Sequence, residues 1–390
     1  MTTQPFEVQI PQAALDDLRA RLQVTRLPVG AGTADWEAGV SPVYLRSLVD
    51  YWRTHYDWRA REAEINQLPQ FRATVGGTAV HFVHQTGLGP APFPLVLTHG
   101  FPDSFLRFAK LIPLLTNPGG HGADPEDAFD VVVPSLPGYA FSDAARGAGG
   151  LFHVGELWHK LMKDELGYQR FGAHGGDWGS TVTEHLARSH GGSVAGIHLT
   201  DVPFWHAFRR PRDLRPAEEA YFAAQEHFMM KEGAYAMIQS TRPQTLAEGL
   251  NDSPAGLAAW IVDAFARWSD CDGDVETRFT KDELLTNVMI YWLTETVGSS
   301  FLPYYDLSHA GAGRWILEKA KEWVGSSEVP AGFALFPKDL SHPPREWAER
   351  FFHVERWTIM PRGGHFAALE EPELLARDIR AFFRPLRLRH

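Results

Sequence analysis

The sequence predicts an α/β fold built on a mostly parallel sheet of eight strands with flanking helices. Three observations carry that reading. Short apolar strands alternate with helical segments, a glycine-walled strand-to-helix turn lies at residues 175–179, and one long block lacks strand character. The expected organisation is an N-terminal arm (residues 1–70), a core (71–202 and 326–390) and an inserted helical lid (203–325).

In chain order, the arm reads as helix and loop. Ala13–Leu22 has helical spacing, and Leu45, Leu48, Val49 and Trp52 fall on one face of a second helix. The arm is too short for a core of its own and should pack on the main body. Residues 72–84 (RATVGGTAVHFVH) read as a hairpin turning at Gly76-Gly77. Strands follow at 94–100, 129–138, 171–180 and 194–202, the third running into the helix TVTEHLARS. The pattern then turns helical and aromatic, with helices expected at Glu218–Phe228, Gly256–Trp268 and Asp282–Thr294. Strands resume at 331–337 and 356–361, and the helix EPELLARDIRAFF closes the fold.

Composition removes several function classes. The net charge of −11 gives no general attraction to nucleic acid or to an anionic membrane. The single cysteine, Cys271, excludes an intrachain disulfide. The opening MTTQPFEVQIPQ has neither a basic nor an apolar leader region, and no apolar run approaches the ~20 residues of a membrane span. The expectation is a soluble cytoplasmic protein that acts on a small molecule.

The chemistry centres on Gly175-Gly176-Asp177-Trp178-Gly179. This has the G-x-nucleophile-x-G form of an elbow that lifts its middle side chain to the carboxyl edge of a sheet, where crowding demands small neighbours. An Asp between glycines is also a common turn or cap residue, so the partners decide. The strand ending in His99-Gly100-Phe101-Pro102 is where a backbone oxyanion donor is expected, the Phe101 amide joining that of Trp178. His99 itself reads as structural. His365, in the loop before the last helix, is the candidate base. Its place in the order nucleophile, acid, His selects it among the histidines. Asp339, just after the preceding strand, is the candidate acid that would accept the other ring N–H of His365; it is favoured over Asp201, which follows the strand after the nucleophile and also reads as a turn residue.

A carboxylate nucleophile selects its substrates. Attack by Ser on a saturated carbon would give an ether that water cannot readily cleave, whereas attack by Asp gives an ester that it can. The substrate should therefore be an epoxide or an alkyl halide. An epoxide oxygen needs a proton donor, and Tyr235 and Tyr304-Tyr305 in the lid are candidates; Trp178, with an indole N–H, keeps the halide reading open. Asp270-Cys271-Asp272-Gly273-Asp274 has no glycine at the sixth position counted from Asp270 and no distal Glu, as a calcium loop requires, and reads as a solvated loop. Gly119–Gly122 has no Lys-Ser/Thr after it and is no phosphate cradle.

HGFPDSF, GGDWGS, IQSTRPQTLAEGLNDSPAGLAAWI, LLTNVMIYWLTET, FPKDL and GGHFAALEEPELLARDI, together with PFEVQIPQAALDDLRARLQVTRLP, occur in that order. The chain thereby resembles the microsomal-type epoxide hydrolases, a branch of the α/β-hydrolase superfamily. The resemblance implies Asp177 as nucleophile, His365 as base, Asp339 as acid, and Tyr235 with Tyr304 as the lid acids; Pro303 precedes and Tyr305 adjoins the second, so a one-residue shift would choose Tyr305 instead. It implies a small epoxide substrate, apolar by the aromatic lid, with no cofactor, no metal and, by analogy, a homodimer. The competing expectations are a haloalkane dehalogenase using the same Asp177 and a non-catalytic ligand-binding protein.

Overall fold

The computed structural model describes residues 3–28, 35–144, 150–309 and 325–387. Its centre is one sheet of nine strands in the order β1-β2-β3-β5-β4-β6-β7-β8-β9. These are β1 (Gln4–Phe6), β2 (Gln70–Val75), β3 (Thr78–Gln85), β4 (Phe93–Thr98), β5 (Phe129–Pro134), β6 (Phe171–Gly175), β7 (Val194–Leu199), β8 (Ser327–Leu335) and β9 (Phe352–Ile359). The first three and the β3–β5 pair run antiparallel; the rest are parallel. The central strands β4 to β7 are apolar on both faces because helices cover both.

The expected eight strands are therefore joined by a ninth, β1, contributed by the arm. Its partner register is Gln4↔Arg72 to Phe6↔Gln70. Three residues are too few for alternation to register as a signal; pairing with β2 and contact of Phe6 with His81 and Phe141 hold them extended. Strands β8 and β9 also start earlier than apolar runs suggest. Their first residues include Glu328, His353 and Glu355, which face outward.

The arm adds the helices Gln12–Gln23, Pro42–Thr54 and Trp58–Ile65. The expected face of Leu45, Leu48, Val49 and Trp52 is buried. Asp57 caps the third helix by accepting from the Arg59 and Ala60 N–H groups. Buried Glu62 accepts from the Ile10 N–H (2.7 Å) and Trp58 Nε1 (3.2 Å), tying the start of the chain to that helix.

Between β7 and β8, the described residues carry helices and no strand. The main helices are Pro216–Glu232, Ala234–Thr241, Pro243–Asp252, Pro254–Trp268 and Lys281–Thr294, followed by short turns ending in Leu302–Ser308. Thr280 and Glu283 form a capping box at the start of the fifth. Residues 310–324 of the expected lid lie outside the described residues. No helix among the described residues is long and apolar enough to cross a membrane.

Candidate active site

Asp177 stands between β6 and the helix Trp178–His190 with φ +56° and ψ −129°. A non-glycine residue in this region costs about 1–3 kcal/mol, a strain characteristic of functional turns. The turn closes only because its neighbours are small: a Cβ on Gly179 would meet the Thr98 carbonyl oxygen at 2.0 Å. Gly100 opposite has the same requirement, since its Cβ would lie 2.2 Å from Asp177 Oδ1.

The Phe101 N–H donates to Asp177 Oδ1 at 2.9 Å, and the neighbouring Trp178 N–H also favours the charged form of this carboxylate. Burial pushes the Asp177 carboxyl above its ordinary range; His365 and these two N–H groups pull it back only in part. The two expected oxyanion donors thus converge on one carboxylate.

His365 donates from Nδ1 to Asp339 Oδ1 at 2.7 Å, and the Leu340 N–H accompanies it on the same oxygen at 2.7 Å. Its Nε2 lies 3.7 Å from Asp177 Oδ2 and makes no hydrogen bond. Burial works against the imidazolium, but the charge and hydrogen bond of Asp339 prevail and raise His365. Burial likewise opposes ionisation of Asp339, yet His365 holds it below the usual carboxylate range. The rival acid, Asp201, is not bonded to His365. Burial and then the Asp339 charge push it up to about 7, and its Oδ1 has no partner.

Across from the elbow, the Tyr304 ring packs at 4.6 Å from Trp178, 5.7 Å from Phe101 and 6.0 Å from Tyr235. The two rings meet edge to face, and both hydroxyls sense the Asp177 charge. Burial raises both hydroxyls well above the ordinary tyrosine value. Tyr305 turns away and stacks on His309 at 3.8 Å. Helix phase therefore brings Tyr304, not Tyr305, to Asp177.

Further buried residues hold these groups; of them, Glu370 and Trp268 were not singled out by the sequence reading. His99 is fully buried; its Nε2 accepts from the Leu136 N–H at 3.1 Å, in keeping with a structural reading. Glu370 accepts from the N–H groups of Gly364 (3.0 Å), Phe366 (2.9 Å) and Asp270 (2.8 Å), and the Trp268 carbonyl accepts from the His365 N–H (2.8 Å). The expectation of a solvated 270–274 loop is corrected at its start. Asp270 accepts from the Gly363 N–H (2.8 Å) and from Arg278 (3.1 Å), and Cys271 is buried; only Asp272, Gly273 and Asp274 face solvent. Among the described residues, no three His, Cys, Asp or Glu side chains converge as a metal site would require.

A sheet of this order with an acid on its strand-to-helix elbow, facing a His–Asp pair, defines an α/β-hydrolase, and the description "alpha/beta hydrolase fold" matches residues 94–237. "Epoxide hydrolase N terminus" matches residues 3–108. The chain belongs to the epoxide hydrolase family. It is 37% identical to "Epoxide hydrolase 1" of Sus scrofa over 404 residues, 97% of this chain and 88% of that protein. The structure of Aspergillus niger epoxide hydrolase superposes with a TM-score of 0.84 at 32% identity, covering 99% of this chain and 97% of that one. The juvenile hormone epoxide hydrolase of Bombyx mori gives 0.87 at 27% identity, covering 99% and 95%.

Proposed function

We propose that this chain converts an apolar epoxide and water to a vicinal diol through an ester on Asp177. The observation that carries the reading is a strained, largely buried carboxylate that accepts from the Phe101 N–H and is faced by two tyrosines whose rings pack at 6.0 Å from each other. An Oδ of Asp177 attacks a ring carbon and the carbon–oxygen bond breaks. The leaving oxygen stays on the substrate and takes a proton from Tyr235 or Tyr304. His365, oriented by Asp339, then removes a proton from water as that water adds to the ester carbonyl. The oxyanion rests on the Phe101 and Trp178 N–H groups, and its collapse releases the diol oxygen, which takes the proton back from His365. The Asp177 carboxyl so released gives its proton, by way of water, to the tyrosinate, which restores both groups. The ring faces of Phe101, Trp178 and Trp268 around the acids favour an apolar substrate body. No step calls on a metal or cofactor.

The test is to trap the ester. His365→Gln mixed with styrene oxide should gain the mass of one epoxide on Asp177, read by intact-protein and peptide mass spectrometry. Multiple turnovers of the unsubstituted protein in heavy-oxygen water should label the Asp177 carboxylate. An unlabelled Asp177, or an Asp177→Ala protein that still forms diol, would end the reading. Halide release from a chloroalkane with no diol from any epoxide would instead favour the dehalogenase alternative.

A further inference from the structure

Arg107 is buried (2% exposed) in the turn after the oxyanion strand, within a few residues of Phe101. One arm of its guanidinium donates to Asp103 Oδ2, and the other donates to the backbone carbonyl of His365 at 2.6 Å. Asp103 in turn accepts the Gly100 N–H on Oδ1 at 3.0 Å. A single unbroken chain of hydrogen bonds therefore runs from the oxyanion loop through Asp103 and Arg107 to the histidine loop, 258 residues further along the sequence. The pair is charge-complete: both side chains are almost wholly buried, and the Arg107 plane also lies 6.0 Å from the Phe366 ring. Helix Lys281–Thr294 grips the same oxyanion loop from its other side. Asn287 Nδ2 donates to the Pro102 carbonyl (2.8 Å) and the Tyr291 hydroxyl to the Asp103 carbonyl (2.7 Å).

A buried planar guanidinium reads two acceptors at fixed angles, which an ammonium or an apolar side chain cannot do. We propose that Arg107, braced by Asp103, is a positioning residue that sets the His365 loop against the Phe101 oxyanion donor, so that water activation and oxyanion binding act on the same ester carbonyl. This rests on the reading of His365 as the base. No hydrogen bond joins Arg107 to Asp177 or to the tyrosines, on which the first half depends; it reaches that half only through the Phe101 N–H on Asp177 Oδ1, whereas the second half needs both elements that it joins. Its removal should therefore slow ester hydrolysis far more than ester formation.

That asymmetry has a kinetic signature. When ester hydrolysis alone slows, ester accumulates and kcat and KM fall by the same factor, leaving kcat/KM unchanged. For Arg107→Met the expected fall is about ten- to a hundredfold, the scale of an ångström-level misplacement of a catalytic group. Arg107→Lys keeps the charge, reaches one acceptor at a time, and should fall between the two. The structure offers a second readout. Arg107 and Asp103 also line a cavity of about 330 Å³, walled by Ile65, Leu68, Phe265 and Phe279. In Arg107→Gly, guanidinium at low millimolar concentration should enter there and restore part of kcat, while sodium at equal ionic strength should not.

The experiment follows styrene oxide by single-turnover mass spectrometry and steady-state kinetics in Arg107→Met, Arg107→Lys, Arg107→Gly and His365→Gln, with circular dichroism as the check on folding. Accumulated ester with parallel loss of kcat and KM supports the proposal. A folded Arg107→Met with unchanged kcat overturns it, as does a loss of kcat/KM with KM unmoved and no ester. If Arg107→Met does not fold, Arg107→Lys and guanidinium rescue of Arg107→Gly decide by the same criteria. Ester that builds up in His365→Gln and in no Arg107 variant sinks the clamp alone. Absence of ester in His365→Gln removes the base assignment, and the clamp falls with it.

Discussion

His365 Nε2 stands 3.7 Å from Asp177 Oδ2, beyond hydrogen-bonding range, while its Nδ1 holds Asp339 at 2.7 Å. The short contact fixes the tautomer, with the proton on Nδ1 and the lone pair of Nε2 facing Asp177. The long one suits a base that works on water rather than on Asp177, whose nucleophilic form needs no deprotonation by a neighbour once it is ionised.

The pH dependence of turnover follows from that arrangement. A base must be neutral, and Asp339 raises His365 above its ordinary value despite burial. The acidic limb of kcat should therefore lie above the unperturbed imidazole value, with activity lost as pH falls through it. Asp339→Asn removes the counter-charge but leaves burial and the Arg107 charge, both of which lower His365. The limb should move to lower pH while the maximal rate falls by roughly two to four orders of magnitude. A limb that stays in place in Asp339→Asn would assign it to another group. At the basic end, both tyrosine hydroxyls are raised, so no loss of activity is expected across the ordinary tyrosine range.

The tyrosine pair gives a separate prediction. Tyr235→Phe or Tyr304→Phe should each lower kcat/KM by about ten- to a hundredfold through slower ring opening, and the double variant should lose far more, because one hydroxyl can cover for the other. Tyr305→Phe should behave as the parent, since its ring stacks on His309. Rapid-quench rates of ester formation read this directly, and a large effect in Tyr305→Phe would reverse the assignment.

How much of this could be read from the sequence follows the range of the forces involved. The elbow was readable because its requirement is local: Asp177 needs small neighbours, and Gly175, Gly176 and Gly179 supply them within the motif. Asp339 and His365 were readable as candidates because each follows a strand that delivers it to the sheet edge; Asp201 follows one too, and it is the 2.7 Å contact with His365 Nδ1 that separates the two acids. The choice between Tyr304 and Tyr305 was not, because the phase of a short helix after Pro303 depends on what it packs against. Arg107 and Glu370 gave no signal, since a buried Arg and a buried Glu look like surface residues until a distant loop supplies their partners. β1 escaped for the same reason at the level of the backbone: its hydrogen bonds go to Arg72 and its neighbours, not to its own segment.

The elbow itself should trade stability for function. Asp177 combines a left-handed φ with a carboxyl raised by burial. A raised carboxyl is stabilising below its unfolded value, and that contribution is lost as pH rises through the folded value. The ionised parent at neutral pH is thus the weaker fold. Asp177→Asn should melt higher at neutral pH, by the order of 1 kcal/mol, while losing diol formation. The gain should shrink toward acid pH, where the parent carboxyl is protonated. Calorimetric melting of both proteins across that range checks it, and a constant difference would place the effect in packing instead.

Glu370 offers the strictest test of how the histidine loop is held. Its two oxygens accept three N–H groups, two from the loop itself (Gly364 and Phe366) and one from Asp270 at the end of helix Pro254–Trp268. Glu370→Ala leaves those donors in a buried place without acceptors, at a cost of about 2–4 kcal/mol. Because the Trp268 carbonyl and Arg107 still hold the His365 backbone from other sides, the loop should loosen rather than leave, and kcat should drop about tenfold with the ester detectable at steady state. Glu370→Gln keeps one acceptor and should recover part of the melting temperature. Hydrogen exchange at the Gly364 and Phe366 amides would report the change directly: faster exchange at these two with little change in the central strands is the expected pattern, and unchanged protection would mean that Glu370 does not hold the loop.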